Sequence, residues 1–424
     1  MRQFPFWAVV LLMALCPWRA WAQLPVPAPA TTAAGSTEAL DEIRKNYRIH
    51  AGPLYVNPAI LLKELGVDTN VFNQAGQRKS DFTFTVTPQA DLAIPVARRG
   101  LFKATLGTDV VYYRKYASER SLDPQAVVRA EAYAHRLTLF AEESYLNTRQ
   151  RPNYEIDLRS RHLQSDLSGG LAVRFTPSLS LEVARRHGET RFDGDAFFLG
   201  QRLQDTLNRD SDTWSGTVRE RLSPLTTLGV RYENQRDRFP ISSARDTDSF
   251  RVVGGVEFKP KALISGSAWV GYRSFRPKSP LVPSQAGLVS ELGLAYTLLG
   301  ATTFGVTYDR DYQFAFVALN PYFIDNSVGG FIRRAVGGKF DVIVNAARHR
   351  YDYQQLAVQT AQVAATPKRV ETTDSYGLNL GYRLKRQTRV GFGASYSTRA
   401  STVLTSRRYD GYRIGTTVSY GLLK

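Results

Sequence analysis

From Leu54 onward the chain alternates apolar and polar residues with a period of two. In 82–93, Phe82, Phe84, Val86, Ala90 and Leu92 alternate with Thr83, Thr85, Thr87, Gln89 and Asp91. In 302–309, Phe304, Val306 and Tyr308 alternate with Thr303, Gly305, Thr307 and Asp309, and 376–385 repeats the pattern from Tyr376 to Leu384. Successive strand side chains point to opposite faces, so each segment predicts a β-strand with one greasy and one polar side. Helix signals are absent from this part of the chain.

The breaks between strands alternate in length. Tight turns fall near Pro95–Gly100, His135–Arg136, Thr176–Ser178, Ser223–Leu225, Lys259–Lys261, Leu299–Gly300, Gly337–Gly338 and Lys385–Gln387. Between them lie longer polar stretches at 74–80, 117–122, 147–158, 192–206, 239–244, 277–285, 317–322, 354–369 and 401–407. Short turns at one end and long loops at the other are the signature of an outer-membrane barrel. Eight turns and nine loops join eighteen strands; sixteen also fits, because His135 and 323–338 are ambiguous.

A soluble β-sandwich would alternate in the same way. The strands are longer than the 5–6 residues usual in globular sheets, and tyrosines cluster toward strand ends. Tyr112, Tyr113, Tyr116, Tyr145, Tyr232, Tyr272, Tyr296, Tyr308, Tyr312, Tyr351, Tyr353, Tyr382, Tyr396, Tyr412 and Tyr420 are expected as interfacial girdles. The longest apolar run, Phe6 to Pro17, falls short of the roughly 20 residues of a transmembrane helix. Only helices or closed sheets satisfy backbone amides in lipid. The expected fold is therefore all-β: a transmembrane, antiparallel, up-and-down β-barrel of about 18 strands.

The N-terminal leader changes the compartment. Arg2, the apolar Phe6–Leu15 and the Ala20-Trp21-Ala22 pattern read as a signal peptide over 1–22. A lipoprotein reading would use Cys16, but Leu15 before it and Pro17 after it fit poorly. Residues 23–53 are expected to form a Pro/Ala-rich periplasmic tether with a short helix within Glu38–Lys45, and 54–424 the barrel in the bacterial outer membrane. No thiol lies beyond Cys16, which excludes disulfides and Cys-based zinc sites, and no cofactor is expected.

Composition adds the character of the inner face. Apolar residues make up 43% and aromatics 12% of the chain, which excludes intrinsic disorder. Lys and Arg number 55 against 38 Asp and Glu, a net charge of +17. Alternation assigns Arg129, Arg174, Arg186, Arg219, Arg231, Arg251, Arg273, Arg383 and Arg389 to the lumen, with Glu131, Glu182, Glu257 and Asp309. Asp91, Lys103, Asp109, Glu142, Arg221, Glu233, Glu291, Asp341, Lys385 and Arg399 share that face. Two readings stand: a self-neutralising ladder bracing the wall, or Arg rows that favour anions.

Loop cations at Arg149, Arg151, Arg202, Arg276, Lys278, Lys368, Arg369, Arg407 and Arg408 would meet lipopolysaccharide. Loops 192–206 and 354–369 are the expected constrictions. Nucleic acid is not expected as a partner, because no aromatic-basic recognition module is present. The histidines His50, His135, His162, His187 and His349 include no HExxH pair, and no GxSxG elbow occurs. His162 or His349 beside Ser160 or Ser165 is the one nucleophile arrangement to check, and no enzyme activity is expected.

Leu61–Phe72 (LLKELGVDTNVF) resembles the opening of the β-barrel porin-2 family of outer-membrane proteins. Arg348-His349-Arg350-Tyr351-Asp352-Tyr353 and Tyr308-Asp309-Arg310-Asp311-Tyr312 are similar to its strand-end clusters. Such a resemblance implies an outer-membrane exit pore, or an accessory to one, associated with exopolysaccharide synthesis and export. Gly415, Val418, Tyr420 and Leu422 also resemble the signal read by the barrel assembly machinery, although the chain ends in Leu423-Lys424 rather than Phe. The expected function is passive passage of polar or anionic solutes, most plausibly an acidic exopolysaccharide, with periplasmic export proteins as partners besides outer-membrane lipid. The alternative is a plugged barrel that anchors partners.

Overall fold

The computed structural model describes Ile43 and residues 46–421, apart from Arg98, Tyr154, Lys261, Ala318, 357–367 and Arg386. The signal peptide and most of the tether expected from the sequence lie outside the described residues, as do Leu422 of the C-terminal signal and the Leu423-Lys424 end. Of the expected tether helix, Ile43 is helical, and Tyr47 N donates to its carbonyl at 3.0 Å.

Eighteen long strands form one sheet: β1 (Leu54–Asp68), β2 (Asp81–Val96), β3 (Gly100–Tyr113), β4 (Ser121–Ala134), β5 (Leu137–Thr148), β6 (His162–Arg174), β7 (Leu179–Phe192), β8 (Arg209–Ser223), β9 (Thr226–Arg238), β10 (Thr247–Phe258), β11 (Ile264–Pro277), β12 (Gln285–Leu298), β13 (Thr302–Phe314), β14 (Tyr322–Val336), β15 (Phe340–Gln354), β16 (Val370–Lys385), β17 (Thr388–Ser401) and β18 (Tyr409–Tyr420). Each pairs antiparallel with its neighbours in sequence, and β18 pairs with β1, so the sheet closes. The strands run from 12 to 16 residues. At about 3.3 Å per residue and a tilt near 45°, that length crosses an apolar band of about 25 Å. Both ambiguous regions resolve toward eighteen: His135 adopts φ 48° in the tight turn between β4 and β5, and 323–336 belongs to a single strand.

Connections alternate as the sequence predicts, giving a short-turn rim and a long-loop rim. The long loops are not wholly irregular. Leu203–Leu207 is a short helix and Phe197–Phe198 pairs with Gln201–Arg202, while 3₁₀ turns sit at Ala117–Glu119, Ser243–Arg245 and Thr405–Arg407. Periodicity could not reveal these single turns, which are too short to repeat.

Alternation sends apolar side chains outward and polar ones inward. Val230 is 57% exposed and Leu288 58%, whereas Arg231 and Val289 beside them are buried. Among the tyrosines expected in girdles, Tyr232, Tyr272, Tyr308, Tyr412 and Tyr420 are outward and exposed. Tyr113, Tyr312, Tyr351 and Tyr353 instead are buried at the long-loop mouth. Tyr113, Tyr351 and Tyr353 share the inward parity of their strands, and Tyr312 stacks on inward Phe275 at 5.6 Å.

The seam between β1 and β18 carries a bulge. Register shifts between Leu62 and Leu65, and Glu64 adopts φ 54°. A Cβ on Gly66 would lie 1.9 Å from the Ile414 carbonyl oxygen, so only glycine lets the two edges meet. Arg413 of β18 bridges back to β1, donating to Asp68 at 2.8 Å and Glu64 at 3.3 Å. Below the seam the segment before β1 folds into the short-turn end, where Ile43 packs against inward Ala93 and Leu101.

Candidate functional site

The inner wall from β4 to β13 is a ladder of ion pairs. Arg129 lies 2.6 Å from Glu131 and 3.1 Å from Glu142. Arg219 reaches Glu182 at 3.0 Å and Glu257 at 3.5 Å. Arg231 lies between Glu233 (3.4 Å) and Glu291 (3.5 Å). Arg251 reaches Glu233 at 2.7 Å and Asp311 at 3.5 Å, and Arg273 meets Asp311 at 2.7 Å. Arg129 and Glu142, and Arg251 and Glu233, are register partners on adjacent strands, whereas Arg219–Glu257, Arg273–Asp311, Arg231–Glu291 and Arg251–Asp311 reach across two or three strands of the inner wall. Of the two sequence readings, this stretch takes the self-neutralising one.

Aromatic rings and glycines complete the bracing. Phe140 lies over Gly170, where a Cβ would come within 2.8 Å of the ring, and the Arg129 guanidinium lies over the same ring at 4.7 Å. Trp269 lies over Gly229 and Gly255, where Cβ atoms would come within 2.5 and 2.4 Å, and Arg231 covers it at 4.9 Å. The glycines let bulky rings lie flat on the wall, and the arginines over them are fixed by carboxylates.

The long-loop mouth is crossed by 149–161, the loop between β5 and β6. Of the two loops expected as constrictions, 192–206 packs against the crossing loop through Ala196 and Leu203, and 357–367 of the other lies outside the described residues. Ile156 joins Ala196 and Leu203, Phe192 of β7 and Phe316 of the loop after β13. Glu155 accepts the Phe316 N–H at 3.0 Å. Asp157 takes Arg399 of β17 at 3.1 Å and Arg407 at 3.4 Å. Glu371 of β16 is shared by Arg399, Arg407 (3.1 Å) and Arg369 (2.9 Å). Elsewhere the same loop is tied by Arg151 to the Val71 carbonyl at 2.6 Å and by Arg159 to the Tyr113 hydroxyl at 3.0 Å.

This latch is nearly solvent-free: Glu155 and Glu371 are 0% exposed. Burial pushes the Glu155 carboxyl above the ordinary carboxylate range despite nearby Arg369 and Arg407. Arg369 and Arg407, expected on the outer surface, face inward instead, because Glu371 and the crossing loop supply their partners. Sequence reasoning placed Arg399 in the lumen but missed Glu155, Asp157 and Glu371. The charged-apolar alternation of Glu155-Ile156-Asp157-Leu158 was the available signal.

The remaining expected lining residues are spread out. Arg186 is 3.9 Å from Asp166. Asp309 lies opposite Glu291 across β12 and β13. Arg174 sits at the foot of β6, with one amino group 3.4 Å from the His135 carbonyl oxygen. Arg389 takes Asp341 at 2.6 and 2.9 Å, and Arg383 stands directly opposite Arg389. Of the His–Ser neighbours singled out from the sequence, His162 Nδ1 meets the Ser160 carbonyl oxygen, not its hydroxyl, at 2.9 Å, and the Ser165 hydroxyl donates to Glu143 at 2.6 Å.

A closed ring with an apolar outer wall, a charged inner wall and a loop folded across one mouth defines a porin-type transmembrane β-barrel. The chain belongs to the family described as Putative beta-barrel porin 2, which matches residues 48–420. No curated protein matches it. Among solved structures it is similar to a BenF-like porin from Pseudomonas fluorescens Pf-5, at 11% identity over 86% of this chain and 98% of that chain, with a TM-score of 0.48. It is also similar to the siderophore receptor PirA from Pseudomonas aeruginosa, at 9% identity over 88% of this chain and 81% of that chain, with a TM-score of 0.43.

Proposed function

We propose that this protein is an outer-membrane channel through which polar or anionic solutes pass without bond chemistry, and that an acidic exopolysaccharide leaving the cell is its solute. The observation that carries the reading is the closure of β1 onto β18 around an inner wall of charged and hydroxyl side chains. A ring of this kind supplies a hydrophilic route where lipid supplies none. The short-turn rim then faces the periplasm, with export proteins delivering solute there, and the long-loop rim faces outward among lipopolysaccharide. Membership in a porin family supports passage. The polysaccharide rests on the resemblance of the strand-end clusters.

The latch favours a second reading, in which the barrel is closed and serves as an anchor. Planar-bilayer recording separates the two. The channel reading expects discrete conductance steps, enlarged when loop 149–161 is shortened. A barrel silent in both forms would be the anchor.

A further inference from the structure

We infer that the foot of β14 to β17 is an oxyanion-binding site, formed by Arg333, Arg383 and Arg389 around Asp341, which takes carboxylate or phosphate groups of an anionic chain entering the lumen. The inference deepens the channel reading and rests on it for its physiological direction.

The argument is one of stoichiometry. Arg129, Arg219, Arg231 and Arg251 each hold two carboxylates. At the foot the ratio inverts. Arg389 occupies both oxygens of Asp341, at 2.9 Å through Nε and 2.6 Å through Nη2. Arg383 is the register partner of Arg389, and like charges directly opposite one another on a sheet repel. Arg333 has the same inward parity on β14, and among the described residues neither its guanidinium nor that of Arg383 has a carboxylate within salt-bridge distance.

The wall is also shaped for it. A Cβ on Gly381 would lie 2.2 Å from Arg389 Nη2, and one on Gly391 2.8 Å from Nη1, so the guanidinium lies flat on a glycine floor. At the short-turn end Ile43 packs against Ala93 of β2 and Leu101 of β3, and Arg48 of the same segment donates to the side chain of Gln387, in the turn between β16 and β17, at 3.1 Å. No turn sequence at that rim contains Asp or Glu, while Arg99, Arg136, Lys259 and Lys339 stand there. Arginine's planar fork suits carboxylate and phosphate alike, and a passing oxyanion would supply the charge that the protein leaves out.

The test is equilibrium binding of polygalacturonate and, separately, polyphosphate to the detergent-solubilised barrel, which requires no conduction. The R333Q/R383Q double variant should bind at least about tenfold more weakly, in line with the loss of two charge-assisted contacts. R333K/R383K should retain part of the affinity, and R334Q, on the outward parity, all of it. Heat-modifiable mobility verifies that each variant is folded. Binding by either polymer, lost in the double Gln variant, supports the site and tells carboxylate from phosphate. Binding by neither, or equal binding by the double variant, overturns it. A silent bilayer recording with intact binding would instead count against the channel reading alone.

Discussion

Arg399, on the inner wall of β17, lies 3.1 Å from Asp157 of the loop that crosses the mouth, and the same side chain pairs with Glu371 of the neighbouring strand. One buried guanidinium thus ties a loop from the far side of the ring to the wall. Removing one partner of a buried ion pair costs about 3–5 kcal/mol, because the other charge is left unsatisfied. Arg399→Ala should therefore loosen the crossing loop and raise open probability in single-channel recordings. Arg348→Ala, which removes an outward pair whose arginine is 60% exposed, should leave gating unchanged.

Closure of the latch should depend on pH through Glu155. Its carboxyl is raised above the ordinary value of 4.5 by burial in the closed form and is solvated when the loop lifts. The closed form then binds the proton more tightly than the open one. Its extra stability is present below the ordinary value and is lost as pH rises through the raised one. Open probability should increase with pH across that window, and Glu155→Gln should flatten the dependence.

Ring closure should hinge on Gly66. With a Cβ there 1.9 Å from the Ile414 carbonyl oxygen, Gly66→Ala must push β1 away from β18. The expected outcome is loss of the heat-modifiable, folded band on electrophoresis. Gly76→Ala, in a loop with nothing within 4 Å of the added carbon, should fold normally.

The ladder should carry stability rather than selectivity. Arg231→Ala would uncover Trp269 and leave Glu233 and Glu291 without that partner. A destabilisation of about 3–5 kcal/mol is expected, read as a lower denaturation midpoint, with a red-shifted tryptophan emission.

Strand order, turn positions and inward parity were legible because a period of two is strict: a one-residue slip would turn Leu378 inward and Asn379 into lipid. The ion-pair ladder followed from the same parity. The latch did not, since a loop has no period and contacts such as Glu155 with Arg407 link residues far apart in sequence. Girdle assignment failed at Tyr113, Tyr351 and Tyr353 for a related reason: position near a strand end was used where parity decides.

The central claim is that alternate residues of one strand face lipid and water. Cys16 is the only cysteine, so on a Cys16→Ser background each introduced cysteine reports alone. In lipid vesicles with a membrane-impermeant thiol reagent on both sides, Asn379→Cys should be modified and Leu378→Cys protected. Equal labelling of both, or labelling of position 378 alone, would contradict the barrel described.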